Sequence, residues 1–129
     1  MNIYTITPPT KDELTPQGFT NKIKINKNMT ADKLLKYGFT NHYEPSLYFS
    51  TMIIYNDISF NLRVSKKTLK ITDIDVLDEN LMQPYDYQAM IMDNKNHTIA
   101  RKVFDKVDEI LNKLQNDGII VGYQRGMYV

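Results

Sequence analysis

Three segments near the centre of the chain constrain its fold most: LYFSTMIIY (47–55), ISFNLRV (58–64) and LKITDIDV (69–76). In the middle one, Ile58, Phe60, Leu62 and Val64 alternate with Ser59, Asn61 and Arg63. A period of two places the apolar set on one face and the polar set on the other, as a half-buried strand requires. Asn56-Asp57 reads as a two-residue turn and Ser65–Thr68 as a second short one, so the three strands form a meander. A meander with one apolar face needs a cover. The cover is written at 98–116, where Ile99, Val103, Phe104, Val107, Ile110, Leu111 and Leu114 follow the three-four spacing of an amphipathic helix. Asn96 or Thr98 can cap its start, and Asp117-Gly118 ends it.

The flanking segments add smaller elements. Ile23 and Ile25 alternate with Lys22, Lys24 and Lys27, which predicts a strand with a lysine-bearing outer face. Thr30 is placed to cap a short helix over 31–37, which Gly38 stops. Pro84 suits the first turn of another over 84–92, with Tyr85, Ala89 and Met92 on one side. Residues 119–123 read as one more strand. Residues 1–6 alternate weakly, as an edge strand does, and Pro8, Pro9 and Pro16 then interrupt regular structure. The expected architecture is α+β. An antiparallel sheet of about five strands is covered by one long C-terminal amphipathic helix, with one or two short helices besides. No repeat or linker divides the chain, so residues 1–129 are expected to form a single domain, with 1–30 partly irregular.

Composition excludes several chemistries. Apolar residues at 42% and charged residues at 24% suit a folded chain rather than a disordered one. With no cysteine, disulfides, zinc–thiolate sites and cysteine nucleophiles are ruled out. The N-terminus lacks the basic-then-apolar order of a secretory signal, and KDEL at 11–14 is internal. The apolar runs are far shorter than the ~20 residues a membrane span takes. The absence of cysteine fits a reducing cytoplasm, which is the expected location.

The densest chemistry is ITDIDVLDENLMQPYDYQ (71–88), where Asp73, Asp75, Asp78 and Glu79 fall close together. The apolar phase shifts there. Leu69 and Ile71 are odd-numbered, whereas Ile74 and Val76 are even-numbered. One extra residue near Thr72-Asp73 restores the pattern, which is a β-bulge. Beyond it Asp73 and Asp75 point outward together. Two such carboxylates, with Asp78 from the turn, are the ligand set a metal-dependent hydrolase would use. The competing structural expectation is a solvated strand face with Asp78 and Asn80 capping the turn. That expectation is preferred, with neither metal nor cofactor assigned. His42 and His97 belong to no motif, and neither a Gly-x-Ser-x-Gly elbow nor a phosphate loop occurs. No catalytic residue is assigned and a non-enzymatic role is expected.

Two recognition surfaces are candidates. Tyr85 and Tyr87 beside Asp73 and Asp75, with Tyr123, Arg125 and Tyr128 near the C-terminus, make a set suited to binding a protein. Lys22, Lys24, Arg63, Lys66 and Lys67 make the set for nucleic acid, with Tyr43, Tyr48 and Tyr55 as stacking surfaces. The net charge of +1 weakens the second. It hides an asymmetry, however. Residues 1–70 carry ten Lys/Arg against five Asp/Glu, and residues 71–129 carry six against ten.

KYGFTNHYEP (36–45), ISFNLRV, IDVLDENLMQPYDYQ (74–88) and the closing LQNDGIIVGYQRGMYV, with its GI-x-x-G pattern, resemble small uncharacterised proteins of phages and prophages of low-GC Gram-positive bacteria. The likeness covers roughly residues 34–129 and carries no functional residue with it. It implies an accessory protein that binds a host or phage protein stoichiometrically and blocks it, a restriction or CRISPR nuclease or a replication factor being such a target.

Overall fold

The computed structural model describes residues 22–42 and 45–124. Along the chain run β1 (Lys24–Ile25), α1 (Ala31–Tyr37), β2 (Ser46–Ile54), β3 (Ile58–Ser65), β4 (Ile71–Asp78), β5 (Gln83–Pro84), α2 (Tyr87–Asp93), α3 (Thr98–Asn116) and β6 (Ile120–Val121). The architecture is α+β. The expected edge strand at 1–6 lies outside the described residues.

The central meander has the alternation its sequence dictates. β2, β3, β4 and β5 form a four-stranded antiparallel sheet in that order. Register pairs Leu47 with Val64, Phe49 with Leu62 and Thr51 with Phe60, then Phe60 with Val76, Leu62 with Ile74 and Val64 with Ile71. The inner face is thus apolar apart from Thr51, with Leu47, Phe60, Leu62, Val64 and Val76 wholly buried. The register shift falls between Arg63, opposite Asp73, and Val64, opposite Ile71. Thr72 is therefore the extra residue, which is the expected bulge.

α3 lies over the sheet and buries Ala100, Val103, Phe104, Val107, Leu111 and Leu114. Each of these side chains larger than alanine contributes roughly 1.5–3 kcal/mol through removal from water. The cap of α3 differs from expectation. His97 is the N-cap, its Nδ1 accepting from the Ala100 amide at 3.2 Å. An imidazole nitrogen replaces the expected side-chain oxygen of Asn96 or Thr98. α1 ends as expected, between the Thr30 hydroxyl and Gly38 at φ 136°. A string of aromatic rings, Tyr37, Phe39, Phe49 and Phe60, joins α1 to the sheet at centroid spacings of 5.4 to 6.5 Å.

Two further expectations change. The strands near 21–27 and 119–123 do not extend the main sheet; β1 and β6 pair with each other, Lys24 opposite Val121 and Ile25 opposite Ile120. Gly118, at φ 79°, turns the chain back beside the end of α3, where β1 rather than an edge of the meander lies alongside. The short helix begins at Tyr87, not Pro84. Pro84 sits opposite Leu77 in β5, an edge position that needs no proline N–H. The helical phase moves with the start, so Tyr87 and Ile91 turn inward and Met92 is 72% exposed. Among the described residues no helix is long and apolar enough to cross a membrane.

Candidate functional site

The outer face of the meander carries three cross-strand rows, the first two of them largely polar. Tyr48, Arg63 and Asp73 form the first, Ser50, Asn61 and Asp75 the second, and Met52, Ser59 and Leu77 the third. The rows follow from the period of two and from the bulge at Thr72, which keeps Asp73 and Asp75 in phase with Arg63 and Asn61.

The second row is the hub. Ser50 donates to Asn61 Oδ1 at 2.7 Å. Asn61 Nδ2 donates both to Ser59 Oγ and to Asp75 Oδ1, each at 3.0 Å. Ser59, only 2% exposed, donates a hydrogen bond to Glu79 Oε2 at 2.7 Å. Both amide donors of Asn61 are used, and the buried hydroxyl both accepts and donates. Such a network fixes the orientation of its carboxylates. Burial, above all, raises the Asp75 carboxyl above the ordinary aspartate range. The neighbouring Asp73 raises it further, while the hydrogen bond from Asn61 and the charge of Arg63 lower it. In the first row the Arg63 guanidinium stands over the Tyr48 ring, 4.9 Å from its centroid, within cation–π range.

Asp78 stands apart from this face. Its Oδ1 accepts from the Asn80 and Leu81 amides at 3.0 and 3.1 Å, capping the turn. The set Asp73, Asp75 and Asp78 is therefore not brought together. Among the described residues no group of three or more His, Asp or Glu side chains could hold a metal ion. Glu79 joins the outer face instead, through Ser59. Sequence reasoning missed Ser59, Asn61 and Glu79 as a unit. The alternation placed Ser59 and Asn61 outward, but only the register brings Glu79 to them.

The tyrosines divide. Tyr87 is 2% exposed and packs edge-on to Phe104 at 6.4 Å, so it belongs to the core and leaves the partner-binding set. Tyr85 is half-buried; its amide bonds to the Val76 carbonyl at 2.9 Å, and burial raises its phenol pKa, with Asp78 adding to the shift. Tyr123 is clamped to α3. Its amide and carbonyl bond the Gln115 side chain, and its hydroxyl donates to Asp108. Tyr43, Arg125 and Tyr128 lie outside the described residues.

The nucleic-acid candidates are dispersed. Arg63 is on the outer sheet face, and Lys66 and Lys67 are in the β3–β4 turn. Lys24 lines a groove of about 580 Å³ between β1 and the first half of β4, with Lys27, Lys70 and Asp73 around apolar Ile25 and Ile71. Lys22 lies just before β1 and is exposed.

This arrangement of sheet and helices has a counterpart among solved structures. The fold is that of a DUF1831-family protein. The crystal structure of that protein, from Lactobacillus plantarum, superposes with a TM-score of 0.58 at 12% identity, over 77% of this chain and 84% of its own. At that identity the likeness shows the fold alone. No family model matches the chain, and no curated protein matches it.

Proposed function

We propose that this chain acts without catalysis, by binding a host or phage protein and inhibiting it, as the resemblance to small phage and prophage proteins implies. The supporting observation is the pre-ordered network Ser50–Asn61–Asp75 with Ser59–Glu79. It fixes hydroxyl, amide and carboxylate groups on a sheet face whose Ser50, Arg63 and Asp73 are exposed. Fixed groups lose little freedom on association, which favours recognition. On this reading Asp73, Asp75, Arg63 and Tyr48 contact the partner, and a host defence or replication factor is the class of target. The test is a pull-down of the tagged full chain from a Gram-positive host lysate, with and without nuclease, read by mass spectrometry and repeated with Asp73→Lys. One stoichiometric protein that survives nuclease and is lost with Asp73→Lys supports the proposal; no such protein counts against it.

A second reading, a nucleic-acid accessory role, draws on Lys24, Lys27 and Lys70 sharing one groove. It requires affinity that falls steeply with salt, about one decade per decade of salt for each phosphate contacted. Recovery of many proteins that vanish on nuclease treatment would favour it.

A further inference from the structure

The end of the sheet beyond the polar network has a composition of its own. From Tyr37 to Leu62, and again from Ile71 to Asn94, the sequence contains no lysine or arginine. The turns β2–β3 and β4–β5, which lie in these two stretches, meet at that end and are joined through Asp57. The Asp57 carbonyl accepts from the Glu79 amide at 2.7 Å, and Asp57 Oδ1 accepts from Asn80 Nδ2 at 2.9 Å. Asp78 caps the second turn, and Glu79 is held by Ser59. Three carboxylates, Asp57, Asp78 and Glu79, are thus tied to neutral donors in one hydrogen-bonded unit, and among the described residues no ion pair joins them to a cation.

From this acidic unit project large apolar side chains. Tyr55 is 89% exposed, Met82 71% and Leu81 65%. Tyr55 and Met82 also have backbone φ of 42° and 51°, the left-handed region that side chains other than glycine rarely adopt. Leu69, at φ 60°, makes a useful contrast. Its side chain packs against the core, so burial offsets its strain. For Tyr55 and Met82 the strain places a largely exposed apolar group in water, so burial offsets little of it. Strain kept at an exposed apolar residue is a mark of a functional surface.

We infer that this end of the sheet docks a basic amphipathic protein segment, whose apolar side chains cover Tyr55, Leu81 and Met82 while its lysines or arginines meet Asp57, Asp78 and Glu79. The inference rests on the protein-binding reading above and gives that partner its chemistry. Charge decides the occupant. An acidic rim repels nucleic acid and anionic lipid surfaces, and it complements a basic segment. An amphipathic helix or extended peptide supplies apolar and basic groups side by side.

The test uses the full chain as bait for a displayed library of random 16-residue peptides, with the triple variant Tyr55→Asn, Leu81→Ser, Met82→Asn as comparison. Selected peptides should carry a net positive charge and several large apolar residues. The variant should bind them at least about tenfold more weakly, and added salt should weaken them further as the carboxylate–cation attraction is screened. Acidic or neutral peptides, peptides that bind the variant equally, an empty selection, or self-association of the chain lost in the variant would each overturn the inference. The Asp73→Lys pull-down separates the two claims. A partner captured from lysate through Asp73 but indifferent to the triple variant leaves the binding function standing and removes only this docking site.

Discussion

Asn61 holds Asp75 by a 3.0 Å hydrogen bond from its side-chain amide, at a position where burial and Asp73 both disfavour the Asp75 charge. The folded-state pKa of Asp75 is raised, so the folded chain holds that proton more tightly than the unfolded one. The stabilising contribution is present in full below the unfolded value of about 3.9 and is lost as pH rises through the folded value. At neutral pH the charged Asp75 therefore costs stability. Asp75→Asn keeps an acceptor for Asn61 and removes the charge. It should raise Tm at pH 7 by about 2 °C, an effect of order 0.5 kcal/mol at this partly solvated site. The gain should shrink below about pH 4. Thermal melts between acid and neutral pH check this; a variant less stable than the parent at pH 7 would show that the charge is well accommodated.

The GI-x-x-G pattern separates into two glycines with different duties. A Cβ on Gly122 would stand 2.0 Å from the Lys22 carbonyl oxygen, beside the β1–β6 pairing, at φ 88°. A Cβ on Gly118 would meet nothing within 4 Å, and only its φ of 79° resists substitution. Gly118→Ala should cost about 1 kcal/mol, the backbone penalty alone. Gly122→Ala should cost about 2 kcal/mol or more, since backbone rather than a flexible side chain must move. Urea unfolding of the two variants should rank them in that order, and equal losses would mean that Lys22 yields easily.

The same contrast shows which features were legible in the sequence. The bulge at Thr72 could be read because Ile71 and Ile74 fall out of phase, a conflict with only one cheap remedy. The meander and α3 could be read because their periods run over many residues. The start of α2 could not. Pro84 lacks an N–H, and both a helix start and an edge-strand position tolerate that lack, so local chemistry does not choose between them. Only the packing of Tyr87 against Phe104 does. The outer-face network was half legible. Alternation sets Ser59 and Asn61 outward, but Ser59–Glu79 spans 20 residues and depends on register and turn together. The pairing of β1 with β6 depends on where α3 ends in space, which no local pattern records.

Two tyrosines make the fold sensitive to alkali. Burial pushes Tyr87 up to about 12, and burial with the hydrogen bond to Asp117 does the same for Tyr37. Both values exceed the free-phenol value, so both groups contribute stability that is complete below about pH 10 and is lost as pH rises through about 12. Denaturant midpoints should fall steeply over that interval. Tyr87→Phe keeps the ring against Phe104 and removes the titrating hydroxyl, so its midpoints should fall less. Tyrosinate absorbance should show the Tyr87 proton leaving only as the fold opens; release near pH 10 without unfolding would contradict its burial.

Tyr55 and Met82 set stability against binding. Each occupies a left-handed backbone conformation that costs a bulky residue about 1–2 kcal/mol and that asparagine adopts far more easily. Their side chains are 89% and 71% exposed, so removing them gives up little burial. Tyr55→Asn and Met82→Asn should therefore each stabilise the free protein by about 0.5–1 kcal/mol, read as a rise in urea midpoint at unchanged slope. The same changes should weaken capture of a basic amphipathic peptide. A gain in stability together with a loss of binding is the signature of strain kept for recognition. If both variants instead destabilise the isolated chain, these side chains support the turns themselves, and the docking surface must be sought elsewhere on the sheet.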